Sequence, residues 1–157
     1  MTRLPLILLC VLPALAACGG GDNASTEEFV ADANKICREG EQRIQEVTRA
    51  EQEASGRPES LEEQQEAVGA ILERTAEAYE PYMERLRALD PPSDLADQWT
   101  EFLDGVARAF DLIPDLAEAT RGNDSDRLRE LSEEFTQIAR ETRPFAERHR
   151  LDDCLPD

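Results

Sequence analysis

The segment from Ser60 to Leu89 decides the fold, and it reads SLEEQQEAVGAILERTAEAYEPYMERLRAL. It opens with Ser60 and Glu63, which have the spacing of a capping box at a helix N-terminus. Apolar residues then recur at intervals of three, four or seven, as they do along one face of an α-helix. The predicted buried stripe of this helix consists of Leu61, Val68, Leu72, Tyr79, Tyr82, Leu86 and Leu89.

Three short breaks rich in Gly, Pro, Asn and Asp divide the rest of the chain, and residues of these types stop or cap helices. They are Gly56-Arg57-Pro58, Asp90-Pro91-Pro92 and Gly122-Asn123-Asp124. The segments between them have helical periodicity, and none alternates with a period of two, so no strand is predicted. Four helices are expected, over 26–55, 60–89, 93–121 and 125–149.

Helices of similar length on short loops favour an all-α fold, an antiparallel up-down four-helix bundle with long, proline-kinked helices. Pro81, Pro114 and Pro144 fall within the helical pattern. Each removes a backbone hydrogen bond and bends its helix. As an alternative, Pro81 and Pro114 are true breaks, which would divide the chain into five or six shorter helices.

The N-terminal residues have the layout of a secretory signal, with one basic residue, Arg3, before an uncharged apolar run from Leu4 to Leu15. A membrane-spanning helix needs roughly 20 apolar residues, so this run is too short to be one. The run ends in Leu15-Ala16-Ala17-Cys18.

The motif Leu15-Ala16-Ala17-Cys18 resembles the lipobox of bacterial lipoproteins, and the resemblance covers only the first 18 residues. It implies cleavage before Cys18, a diacylglycerol on the Cys18 thiol and an acyl chain such as palmitate on the new amino terminus. Two or more chains hold a protein stably to a membrane. Ordinary cleavage after Ala16, giving a free secreted protein, is the alternative.

The resemblance therefore divides the chain into a signal peptide (1–17), a lipidated cysteine with a flexible tether (18–25) and a helical domain (26–157). Fully extended, the tether from Gly19 to Ser25 reaches about 25 Å. The domain is expected close to the extracytoplasmic face of the cell membrane, or of the periplasm-facing outer membrane in a cell with two membranes.

The chain is strongly acidic, with 17 basic and 35 acidic residues and a formal charge of −18. Loss of Arg3 with the signal leaves 16 basic residues and a charge of −19. Such a surface repels nucleic acid and anionic lipid head groups, so no nucleic-acid partner is expected. It is typical of a solvated helical surface, and it favours cations or basic partners.

Cysteine usage points to one disulfide. Cys10 leaves with the signal and Cys18 takes the lipid that the resemblance implies, so Cys37 and Cys154 remain. Outside the cytoplasm such a pair is most simply a disulfide. The tail after the fourth helix must then fold back, helped by packing of Leu151 and Leu155. A metal-binding pair or two free thiols are the alternatives, and neither has a third ligand nearby in the sequence.

Candidate ligand-binding residues are few. All eight aromatic residues lie on the helical stripes, where core packing is the simplest role. Tyr79 and Tyr82 are the best exceptions, because a buried hydroxyl needs a partner. His149 is either a ligand or pH sensor, or a favourable charge near a helix C-terminus. Four polar residues occupy positions on the apolar stripes, and we call them the polar seam residues: Gln65, Thr75, Thr120 and Thr142. They either line a small cavity or fix the helix register.

The sequence contains no Gly-x-Ser-x-Gly motif, phosphate loop or Ca²⁺-loop spacing, and no glutamate stands three residues before His149. No enzyme, cofactor or metal site is therefore predicted. The predicted function is that of a lipid-anchored helical protein that binds a partner or assists a membrane complex. The alternative is a lipoprotein that binds a small ligand or cation through its acidic surface or the Tyr79–Tyr82 region.

Overall fold

The computed structural model describes residues 21–155, with side chains from Thr26 onward. This part of the chain is all-α and holds no strand, as predicted. The predicted signal peptide and Cys18 lie outside it. The helices are α1 (Gly21–Ser55), α2 (Leu61–Arg87), α3 (Ala96–Asp111), α4 (Ile113–Arg121) and α5 (Ser125–His149), followed by a 3-10 helix (Asp152–Cys154). None of these described helices is long and apolar enough to cross a membrane.

Two of the predicted helix starts are confirmed by their caps. The Ser60 hydroxyl accepts a 3.2 Å hydrogen bond from the backbone N–H of Glu63 at the start of α2. The Asp124 carboxylate accepts one of 3.0 Å from the N–H of Arg127 at the start of α5. Two other starts differ, since α1 begins at Gly21 and α3 at Ala96. Leu95, at the N-cap of α3, supplies no side-chain hydrogen bond.

The predicted third helix, over 93–121, is wrong as a single element. Helix α3 ends at Asp111 and α4 begins at Ile113, with Pro114 in its first turn. A proline lacks the N–H that continues a helix, whereas the first turn of a new helix needs no such donor. Pro81 and Pro144, in contrast, lie inside the continuous helices α2 and α5.

The core forms where α1, α2, α3 and α5 meet around the single tryptophan. Trp99 is 3% exposed, and its ring centroid lies 5.0 Å from that of Phe29 and 5.5 Å from that of Phe102. Leu86 of α2 is 1% exposed and completes this apolar centre. Burial of such large side chains is the main source of stability in a helical domain.

Two residues of the predicted α2 stripe are not buried. Leu61 is 62% exposed and Val68 is 41% exposed. At this end of α2 the neighbouring element is α4, whose Arg121 side chain lies over Gly69 and pairs with Glu73 at 2.6 Å. The inward face is therefore centred on Gly69, and Val68 beside it faces solvent.

The predicted disulfide is present, and the tail folds back to make it. After α5, Arg150 adopts the left-handed conformation (φ 58°, ψ 40°) and reverses the chain. Leu151 is then completely buried, and Cys154 meets Cys37 with their Cα atoms 5.0 Å apart. This distance is within the range that a disulfide allows.

Asn34 of α1 also holds the returning tail, through both ends of its amide. Its Nδ2 donates to the carbonyl of Arg150 at 2.8 Å, and its Oδ1 accepts from the N–H of Asp153 at 3.1 Å. The carboxylate of Asp153 pairs with Arg38 at 2.6 Å. The tail is thus attached to a single face of α1 by covalent, polar and ionic contacts.

Candidate functional site

A cavity of about 380 Å³ lies between the helices, partly open to solvent. Every described helix contributes to its wall, and most of the lining is apolar. Its aromatic members are Tyr79, Phe102, Phe110 and Phe135. The volume falls in the range of cavities that bind small molecules, which are typically about 300–1,000 Å³ and predominantly apolar. We therefore treat this cavity as the candidate site.

Ring stacking and small side chains together explain why the cavity is open. Tyr79 of α2 and Phe110 of α3 stack almost in parallel, with 4.1 Å between ring centroids and 5° between planes. These two large side chains therefore pack against each other across the α2–α3 contact. Ala109 and Ala139 also line the cavity and extend only one carbon from the backbone. The space that longer side chains would fill is left open.

Tyr79 is the predicted ligand residue that the structure places in the wall. Burial raises the pKa of its phenol from 10.0 to about 12, because the phenolate would lose its hydration. The hydroxyl is therefore neutral at every physiological pH. A neutral phenol both donates and accepts a hydrogen bond, so it is suited to a polar group on an otherwise apolar ligand.

Tyr82 and His149 do not line the cavity. Tyr82 lies against Gly40 of α1, and the guanidinium of Arg85 sits 5.5 Å from its ring centroid. His149 packs on Phe145 with ring centroids 4.6 Å apart. Its Nε2 is buried, and no hydrogen-bond partner is found for it in the described part of the chain. The structure does not bring the three candidates into one site.

Of the four polar seam residues, Thr75 and Thr142 are in the cavity wall and the other two are not. The Thr142 hydroxyl donates to the carbonyl of Ile138 at 3.0 Å, so it can only accept a bond from a ligand. Thr120 makes the same intrahelical bond, to the carbonyl of Leu116 at 2.7 Å. The seam residues thus divide between the cavity and the surrounding helix contacts.

The charged groups in the wall are both acidic. Glu41 is exposed on α1, one turn after Cys37, and its Oε1 accepts a 2.9 Å hydrogen bond from Gln45. Asp153, in the 3-10 helix, is the other, and its charge is balanced by Arg38. Across residues 26–155, no Lys or Arg side chain lines the cavity.

Sequence reasoning singled out Tyr79, Thr75 and Thr142 in the wall and missed the other lining residues, among them Phe135, Ala109 and Ala139. Phe135 had been assigned to a buried stripe, yet it is 39% exposed and lines the cavity. Ala109 and Ala139 had no assigned role. Periodicity tells which face a residue occupies, and it carries no measure of the gap between two faces. No sequence signal could have identified these three.

The described residues include no group of three His, Cys, Asp or Glu side chains placed to hold a metal ion. No family model, curated protein or solved structure matches this chain. The apolar cavity and the N-terminal motif are therefore the two observations that bear on function.

Proposed function

We propose that this chain is an exported, lipid-anchored helical protein that binds a small apolar ligand in the cavity beside Tyr79. The observation that carries the binding function is the cavity itself, with a volume of about 380 Å³ and a mainly apolar wall. A well-packed helical interior leaves few voids larger than a water molecule. An apolar cavity of this volume that opens to solvent leaves surface that a ligand would bury, and this favours a binding role.

The anchor is proposed from Leu15-Ala16-Ala17-Cys18, which has the pattern of a lipobox. The Cys37–Cys154 disulfide supports export, because such bonds persist in oxidising compartments. Phe29, the first buried core side chain, stands 11 residues after Cys18. Because α1 begins at Gly21, most of that segment is helical, and it spans at most about 25 Å. The cavity would then work close to a bilayer, where apolar molecules concentrate.

We also propose that the helices form an antiparallel up-down bundle in which Pro81 and Pro144 bend α2 and α5. The order of contacts supports it. Glu39 of α1 pairs with Arg85 of α2 at 2.7 Å, whereas Glu51, further along α1, pairs with Arg74, earlier in α2, at 3.6 Å. The same reversed order relates α3 to α5, in the contacts Trp99–Phe145, Gly105–Thr142 and Arg108–Glu141.

Lipid attachment is tested by growing bacteria that produce the full chain with labelled palmitate. We expect the wild-type chain to carry label and to sediment with membranes, and Cys18→Ser to lose both properties. Cys10→Ser is the matched control, since it changes a cysteine of the same signal region and should keep the label. Equal labelling of the Cys18→Ser and wild-type chains would exclude this anchor.

Ligand binding is tested with the full chain carrying Cys18→Ser, exported and purified without detergent. N-phenylnaphthylamine, a neutral apolar dye that fluoresces in apolar surroundings, should bind saturably at one site. Ala139→Phe places a ring in the cavity and should weaken binding at least about tenfold, equivalent to about 1.4 kcal/mol. Ala31→Phe makes the same change at an exposed position of α1 and should leave affinity unchanged. Equal affinities of the two variants would place the dye elsewhere and refute the proposed site.

A further inference from the structure

We infer that the cavity selects a hydrophobic cation, an amine or quaternary ammonium group carried on an apolar body. The inference rests on the proposed function and names the ligand class for the same site. Three features of the wall carry it: the sign of its charged groups, its aromatic rings and the absence of basic side chains among its described residues.

The first feature is the negative charge at one side of the cavity. Glu41 and Asp153 both line it, on either side of the Cys37–Cys154 bridge in the two elements that the bridge joins. The charge of Asp153 is balanced by Arg38, whereas the carboxylate of Glu41 forms no ion pair within the described chain and is bonded to the neutral Gln45. Glu41 therefore offers an unbalanced negative charge to a bound ligand.

The second feature is the aromatic character of the remaining wall. Four rings line the cavity, those of Tyr79, Phe102, Phe110 and Phe135. The face of an aromatic ring is electronegative and attracts cations, and quaternary ammonium ligands are commonly recognised in this way. The same rings also bury apolar surface, so they can hold both parts of a hydrophobic cation.

The third feature is the absence of basic side chains from the described wall, which disfavours anionic ligands. Within residues 26–155, no arginine or lysine lines the wall, and the nearby Arg38 is already paired with Asp153 at 2.6 Å. The chain as a whole carries a formal charge of −18, which raises the local concentration of cations and lowers that of anions. An apolar acid, such as a fatty acid, would therefore enter this cavity without a counter-charge.

Competition with N-phenylnaphthylamine tests the inference on the same Cys18→Ser chain. The competitors are decyltrimethylammonium, decanol and decanesulfonate, which share one alkyl chain and differ in the charge of the head group. Each is used below the concentration at which it forms micelles. We expect the cation to displace the dye at a concentration at least about tenfold lower than the sulfonate, with decanol between them. Added salt should reduce this difference, because it screens the attraction to Glu41.

The variant Glu41→Gln separates charge from general apolar binding. It should weaken the cation several-fold and leave decanol unchanged, whereas the matched change Glu133→Gln, on the exposed face of α5, should affect neither. Equal potency of the three competitors, with the dye still bound at the site, would overturn the cation inference and leave the proposed function standing. Failure of the dye to bind at all would overturn both.

Discussion

Replacing Cys37 and Cys154 together by alanine is expected to lower the free energy of unfolding by about 4–5 kcal/mol. The bridge closes a loop across a sequence separation of 117 residues. Closing a loop of this length restricts the unfolded chain strongly, and the loop-closure entropy sets the magnitude. The loss is a large part of the roughly 5–15 kcal/mol that stabilises most domains.

Urea unfolding, followed by the fluorescence of Trp99, measures this loss. The protein has a single tryptophan, and it is 3% exposed, so its emission reports the core directly. Reduction of the wild-type protein is the control, and it should shift the unfolding midpoint as far as the double substitution does. A loss below about 1 kcal/mol would mean that the tail remains ordered in the unfolded ensemble, contrary to this account.

A second large effect is expected at the contact between α3 and α5, where Gly105 faces Thr142. A Cβ atom added at Gly105 would overlap the γ-methyl of Thr142, while the next nearest atom, the Thr142 Cβ, is 3.8 Å away. Overpacking of this kind costs about 1–3 kcal/mol. Alanine is favoured over glycine in a helix by about 1 kcal/mol, which offsets part of that loss. Gly105→Ala should therefore destabilise the protein by up to about 2 kcal/mol.

Gly105→Ala should instead stabilise the protein when the γ-methyl of Thr142 is removed. Thr142→Ser keeps the hydroxyl, which donates to the carbonyl of Ile138, and removes the overlapping methyl. In that background Gly105→Ala should raise the free energy of unfolding by up to about 1 kcal/mol. A double-mutant cycle by urea unfolding measures the coupling. Equal effects of Gly105→Ala in the two backgrounds would show that the helices move apart instead of clashing.

Helix type and most helix boundaries were predictable because they depend on local chemistry. The pair Ser60 and Glu63 marks the start of α2, and Asp124 marks that of α5, since a cap acts within one turn of its own helix. The disulfide was also predictable, because the lipidation hypothesis left Cys37 and Cys154 with only each other. Pro114 was recognised as a kink or a break, and only the structure distinguishes the two.

The cavity was not predictable, because it depends on how two faces fit together. Tyr79 and Thr75 were singled out as polar groups on an apolar stripe, and both line it. The residues that leave the space open, Ala109 and Ala139, carry no signal of their own. The exposure of Val68 likewise depends on where Arg121 of a separate helix crosses α2. Such features arise from tertiary packing, which a single helical period does not encode.

The bridge between Cys37 and Cys154 gives the chain a nearly circular covalent connectivity. The loop between α1 and α2 is exposed, and Gly56 within it has a φ of 65°, so it is a natural place for a protease to cut. A cut there divides the backbone into two pieces, and each piece holds one of the two cysteines. The pieces remain a single molecule, and if Cys18 carries lipid as proposed, both stay on the same membrane. If the protein is exported as proposed, a backbone nick in this loop would not release its fragments.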